Sequence, residues 1–462
     1  MSKKVLFIIY MIIAALAGIS NFMEPANVFV MGALGLSLLV IVLGDEMATL
    51  YLMMALIPFY NSLNIGGIAT DFIVQGAALI KLFMSRSRGI KPSLLMSFFI
   101  ALFLLIWFIH DIQYKTLAAS FFPLLVPLYT FSLINNKPFN RYDGYFAMWV
   151  IIVSTLIAMI CVFMVQGGNI DAFLYTDYAG EIRLGEGSVD EGQKNQLGGA
   201  MGFPIYTLTI VTLLIQMLMT RKYKLWKKLS IIILIGVLFF ITFLTVSRVY
   251  LLGLATMIVI LALHLMRSRS TFAIVGFALT IIFIIGFASI YMSDYIDTVI
   301  FNYTGRIEGD GGQAGMGIRG LIYDDCLKYL SNNIECTLIG KGNGAYPLIG
   351  DAMGSLMSYS AHNIILDALM SFGILGSILL IIIYLKAYKI ESLRLGIKWS
   401  LFRIMPFIVI FIMWQTGSPF LQDKTYIIIM FFMLNIIHCT DGTEYDTQSV
   451  SYTHLTLPTI RL

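Results

Sequence analysis

The chain has 462 residues, 59% of them hydrophobic and 12% charged, with a mean hydropathy of +0.86 and a formal net charge of +4. Soluble domains carry about twice that share of charge, so a soluble fold is excluded and an all-α polytopic membrane protein is indicated. The basic clusters are short and lie between apolar runs, which argues against nucleic-acid partners and makes the clusters topology signals.

The first residues, MSKKVLFIIYMIIAALAGIS, set two lysines before an apolar stretch as a signal peptide does. No small-residue cleavage site leads into a polar segment, so a retained first span is expected. A span needs about 20 apolar residues. Candidates lie at 5–22, 27–43, 47–64, 68–84, 93–110, 117–134, 145–166, 203–220, 229–246, 248–266, 271–292, 363–385, 402–418 and 424–438. The fourth is weakened by Asp71, Gln75 and Lys81. About 12–14 transmembrane helices are therefore expected, in one integral membrane domain over residues 1–449.

Lysines and arginines collect at 81–91, 221–228, 267–269 and 386–403, with Lys137 and Arg141 a thinner group. With a cytoplasmic N-terminus all of these fall inside, as the positive-inside rule requires. The two long polar loops, 167–202 and 293–362, then fall outside. In the second, GIRGLIYDDCLKYLSNN sets Ile318, Leu321, Ile322 and Leu330 on one helical stripe. That pattern predicts a short amphipathic helix on or near the membrane surface. The following GKGNGAYP is turn chemistry and lacks the spacing of a phosphate-binding P-loop.

Four cysteines are scattered, with no metal-ligand spacing. Cys326 and Cys336 share the second outer loop, where they either pair or remain two free thiols. The segment VSYTHLTLPT, 450–459, reads as the translation of a transposon-based sequencing adapter. Residues 450–462 are therefore set aside as a scar, His454 among them, which leaves the native C-terminus open.

Chemistry is expected at the outer loops and the span ends beside them. Arg248, in TVSRVYLLGL, stands at an outer end in a nearly loopless hairpin, against the positive-inside bias. Snorkelling to headgroups is the structural alternative. Arg183, Arg306 and Arg319 lie in the outer loops. With Arg248 they suggest an anion site, because guanidinium forks bind phosphate oxygens bidentately; pairing with the loop acids is the alternative. His362 closes the second loop beside Asn363, and an imidazole suits a general base at neutral pH. Asn363 and Asp367, four apart, either orient it or satisfy each other. Asp324–Asp325 lacks a third ligand and reads as a polar helix face, so no metal and no cofactor is expected.

A loop with arginines, an amphipathic helix and a GKGNG turn, then AHN opening a span with SFGILGSILL, and TVSR upstream, resembles the bacterial O-antigen ligase and O-antigen or capsular polysaccharide polymerase family (Wzy-like) over about residues 180–385. The resemblance implies a GT-C-like, metal-independent glycosyltransferase on the outer face of the cytoplasmic membrane, with undecaprenyl-pyrophosphate-linked oligosaccharide as donor. Arg248, Arg319 and His362 match its catalytic positions. Arg306 matches a looser upstream arginine, and Arg183 with Asn195 loosely matches the first-loop pattern. Asn363 completes the His-Asn pair. Tyr323 is the nearest aromatic to the position where family members often carry Trp.

Membrane lipids and a chain-length regulator are the further partners it leaves room for. A composition rich in Ile, Lys, Met and Tyr suggests an AT-rich genome and leans toward a polymerase over a ligase. A lipid-linked oligosaccharide flippase is the reading from another class. Against it, the polar residues gather in the outer loops and not at mid-membrane.

Overall fold

A computed structural model of the chain describes residues 2–65, 68–84, 141–165, 199–220, 223–243, 248–267, 318–341, 363–394 and 401–415, with isolated residues near 98–109 and at 297. The described residues are almost wholly helical. The first group is α1 (Lys3–Ile19), α2 (Ala26–Leu43), α3 (Glu46–Leu56), a 3-10 helix (Ile57–Ser62), the two-residue strands β1 (Asn64–Ile65) and β2 (Ile68–Ala69), α4 (Asp71–Met84) and α5 (Arg141–Val165). The second is α6 (Gly199–Thr220), α7 (Leu225–Phe243), α8 (Arg248–Arg267), α9 (Ile318–Asn332), α10 (Ile334–Ile339), α11 (Ile364–Arg394) and α12 (Met405–Met413).

Among the described residues two helices are long and apolar enough to cross a membrane, Ala26–Leu43 and Val249–Arg267; shorter apolar helices cover Glu46–Phe59, Phe146–Cys161, Thr207–Met219 and Ile364–Leu379. The expected spans at 117–134, 271–292 and 424–438 lie outside the described residues.

In the first group an aromatic knot ties three helices together. Phe7, Tyr10 and Tyr51 each meet Phe146 edge-on, at ring separations of 6.1, 6.4 and 4.7 Å. The Tyr10 hydroxyl donates to the Ala48 carbonyl at 2.8 Å, so the one polar atom of a fully buried ring is satisfied.

The span expected at 47–64 takes a different form. Asp45 caps α3 by accepting from the Ala48 N–H at 2.8 Å. Pro58 then removes an amide proton and the α-helix ends at Leu56. The chain tightens into the 3-10 helix and turns back through an antiparallel pairing, Asn64 opposite Ala69 and Ile65 opposite Ile68. Eleven α-helical residues reach about 16 Å, half a bilayer core. The segment nonetheless keeps its direction. Ala48 lies at the level of Tyr10, and Phe59 at the level of Gly18. On the return, α4 brings the Lys81 ammonium to the Val42 carbonyl at 3.1 Å.

In the second group α8 runs antiparallel to the segment that ends in α12. A Cβ on Gly253 would lie 2.6 Å from Met413 Sδ, while His264 stacks on Phe402 at 4.1 Å. Pro406 cannot donate back to the Phe402 carbonyl, and Gln216 of α6 fills the gap by donating Nε2–H to the carbonyls of Phe402 (2.6 Å) and Arg403 (3.1 Å). One end of this group thus carries Gln216, His264 and Phe402. The other carries the start of α8 and the close of α12.

Candidate functional site

The end where α12 closes is where three other elements meet. Trp414 and Gln415 follow the last turn of α12. The Ile364 N–H donates to the Trp414 carbonyl at 3.0 Å. Asn363 is the N-cap of α11: its Oδ1 accepts from the amides of Ile365 (3.0 Å) and Leu366 (3.2 Å), and its own carbonyl accepts from Asp367 (2.8 Å). The amides of Ile364, Ile365 and Leu366, which have no i−4 partner within the helix, are all satisfied in this way. Asn363 Nδ2 also reaches the Gln415 carbonyl at 3.5 Å, and the Tyr323 hydroxyl of α9 reaches the same carbonyl at 3.4 Å.

Two expected arginines open helices that arrive at this point. Arg319 is the second residue of α9, one turn before Tyr323. Arg248 is the first residue of α8, five before Gly253, which places its backbone about 7.5 Å beyond the Gly253–Met413 contact, toward the end where α12 closes. His362, immediately before the Asn363 cap, lies outside the described residues, as do Arg183, Arg306 and Asn195. Gln415 was not singled out by the sequence. The available signal was a polar side chain closing an apolar run, the same signal that picked out His362 and Asn363.

The amphipathic helix of the second loop exists, and its apolar stripe faces protein. Ile322, Cys326 and Leu330, spaced by four, are buried with Cys336 of α10 against Leu366 and Met370 of α11. Tyr323, Tyr329 and Leu369 close over them. The cover of this stripe is the first half of α11. Asp324 and Lys328 are exposed on the other face. Among the described residues no three His, Cys, Asp or Glu side chains gather as metal ligands.

The cysteines of the loop are both free and buried. Burial pushes the Cys326 thiol up to about 12, with the carboxylates of Asp367 and Asp325 adding to the effect. Burial raises Cys336 too, against the opposing charge of Lys341. Of the two readings the sequence left open, these are two neutral thiols inside an apolar cluster.

The loop is fastened where α11 breaks. Gly373 sits at φ 62° inside α11 and interrupts it. Gly340, at φ 80°, ends α10 and lies against that break. The Lys341 amide donates to the Met370 carbonyl at 2.8 Å, and Cys336 Sγ stands 4.0 Å from the same oxygen. The loop backbone is thereby bonded to α11 just before its break.

Residues 233–381 match the family model described as O-Antigen ligase (Wzy_C). The match takes in Arg248, Arg306, Arg319, His362 and Asn363 as well as Gly340 and Gly373, and leaves out Arg183 and Gln415. No curated protein matches the chain. The resemblance read from the sequence is thereby supported over about a third of the chain, and the match favours the ligase over the polymerase.

Proposed function

From the O-antigen ligase match over residues 233–381, we propose that this membrane protein is a glycosyltransferase that moves a glycan from undecaprenyl pyrophosphate to a final acceptor on the outer face of the cytoplasmic membrane. The observation that carries the reading is the convergence on the Gln415 carbonyl. Tyr323, one turn after Arg319, and Asn363, next to His362, both reach that atom, at the end where Arg248 opens α8. In this reading two cations and a candidate base act together at one end of the bundle, each carried by a different helix or its leading edge.

The orientation follows from charge. Lys224, Lys227, Lys228, Arg267 and Arg403 gather toward the opposite end of these helices. By the positive-inside rule that end is cytoplasmic and the Gln415 end faces out.

In the proposed reaction an acceptor hydroxyl attacks the anomeric carbon of the donor sugar. The bond from that carbon to the pyrophosphate oxygen breaks, and His362 takes the hydroxyl proton. Arg248 and Arg319 stabilise the negative charge that builds on the departing pyrophosphate, while Arg183 and Arg306 hold the donor's phosphates. These fixed cations supply the charge stabilisation that a metal ion would otherwise give. Asn363 binds at the acceptor side through its amide and fixes the backbone that presents His362.

Deletion of the gene in its host, with the surface polysaccharide sized on a gel, tests the class of reaction. Long chains that stay on the carrier and never reach their final acceptor are expected. Single repeat units on outward-facing carrier would make the protein a polymerase, and units stranded facing the cytoplasm would make it a flippase.

A further inference from the structure

The end of the second group opposite Gln415 carries a feature the transfer reaction does not use. Lys224, Lys227 and Lys228 stand exposed around the first turn of α7, which holds no acidic residue. The amides of Lys227 and Lys228 both donate to the Lys224 carbonyl (3.0 and 3.1 Å), which holds the three side chains within one turn. Like charges spaced by three and four repel, and cations at a helix start oppose its dipole. Lys227 lies over the Tyr223 ring at 5.0 Å, which leaves Lys224 and Lys228 as a like-charged pair that an anion would offset.

The same helix presents a continuous apolar stripe outward. Leu225, Leu229, Ile232, Ile233, Val237 and Phe240 are 78, 44, 51, 58, 42 and 39% exposed. Gly236 lies on this stripe with open space where a side chain would be, which leaves a notch between Ile233 and Phe240. The opposite face, Ile231, Leu238 and Thr242, is the one buried, and Thr242 bonds Thr207 of α6 at 2.7 Å. Trp226, 79% exposed, lies among the lysines in sequence, at the level where indole rings favour the bilayer interface.

We propose that this face of α7 binds an anionic phospholipid, with its phosphate on Lys224 and Lys228 and an acyl chain along the stripe and into the Gly236 notch. The complementarity is twofold. A basic cluster that meets a lipid-length apolar groove fits a molecule with one anionic end and one hydrocarbon end. A soluble phosphate matches only the first half. The inference is independent of the glycan-transfer reading.

The test uses the full-length protein purified in detergent and offered equal amounts of phosphatidylglycerol and phosphatidylcholine, with retained lipid counted by native mass spectrometry. Wild type retains phosphatidylglycerol about fivefold or more over phosphatidylcholine, since each lysine near a headgroup contributes about that factor. Lys224→Gln/Lys228→Gln brings the ratio to about one. The charge-matched Lys3→Gln/Lys4→Gln, on α1, leaves it unchanged. Gly236→Leu, which adds bulk in open space, lowers the amount of phosphatidylglycerol retained. Equal retention of both lipids by wild type overturns the proposal, as does an equal loss in the Lys3/Lys4 variant, which would reduce the effect to diffuse charge. A Gly236→Leu variant that retains lipid as wild type does overturns the acyl seat.

Discussion

Gly340 and Gly373 meet backbone to backbone. A Cβ on Gly340 would lie 2.5 Å from backbone atoms of Ser371 and Phe372, and one on Gly373 would lie 2.5 Å from those of Leu338, Ile339 and Gly340. Both residues sit at positive φ. The outer loop is joined to the broken helix at a contact that admits no side chain on either partner.

Alanine at either glycine should therefore destabilise the protein by about 2 kcal/mol or more, since backbone atoms cannot swing aside and the conformation itself is strained for an L-residue. The two substitutions break one contact, so the double variant should lose little more than the worse single one. Thermal unfolding of the purified variants checks this. Full additivity would mean the two glycines are not coupled.

Asn363 and Tyr323 separate stability from positioning. Asn363→Ala removes the cap of α11 and should lower stability by about 1 kcal/mol, whereas Asn363→Asp keeps an accepting oxygen and should lower it much less. Tyr323→Phe keeps the half-buried ring and removes only the donor to Gln415. Its stability should change by less than about 1 kcal/mol while turnover falls at unchanged donor affinity. Tyr323→Trp restores an N–H donor and should recover part of the rate. Equal turnover in the Phe variant and wild type would remove Tyr323 from the positioning role.

Cys326 gives a pH signature. Its thiol is raised from 9.0 to about 12 in the folded protein, so the unfolded chain ionises first. The stability that the neutral thiol contributes is whole below about pH 8.5 and is lost as pH rises toward 12. Denaturant midpoints measured from pH 7 to 11 should fall at the alkaline end, and Cys326→Ala should flatten that fall. In the folded protein at pH 8 the same thiol should react slowly with a maleimide. Rapid labelling would contradict its burial.

Long apolar runs were the legible part of this fold. The spans expected at 229–246 and 248–266 appear as Leu225–Phe243 and Arg248–Arg267, because an uninterrupted apolar run leaves a helix as its only solution in lipid. What the runs hide is where a helix stops inside them. Pro58 and the Asn64–Ala69 pairing cut short the span expected at 47–64. Gly373 breaks α11 inside SFGILG, where hydropathy shows no change and only Gly340, 33 positions earlier, explains the gap.

The stripe of the loop helix was legible by its spacing, but its cover was not, since lipid and an apolar helix face look alike to a sequence. Of the proposed site, the cap residue Asn363 was legible as a polar group at a span end. The meeting of Tyr323 and Asn363 on one carbonyl was not, because a backbone oxygen leaves no mark in the sequence.

The central claim is that His362 takes the acceptor's proton while the arginines carry the leaving pyrophosphate. The most direct measurement is release of undecaprenyl pyrophosphate from a lipid-linked glycan by the purified protein with acceptor present, for wild type and His362→Ala, with donor affinity measured alongside. Loss of a general base predicts a fall of about 100-fold or more in turnover, with donor affinity within a few fold of wild type. Release at the wild-type rate by His362→Ala would contradict the account.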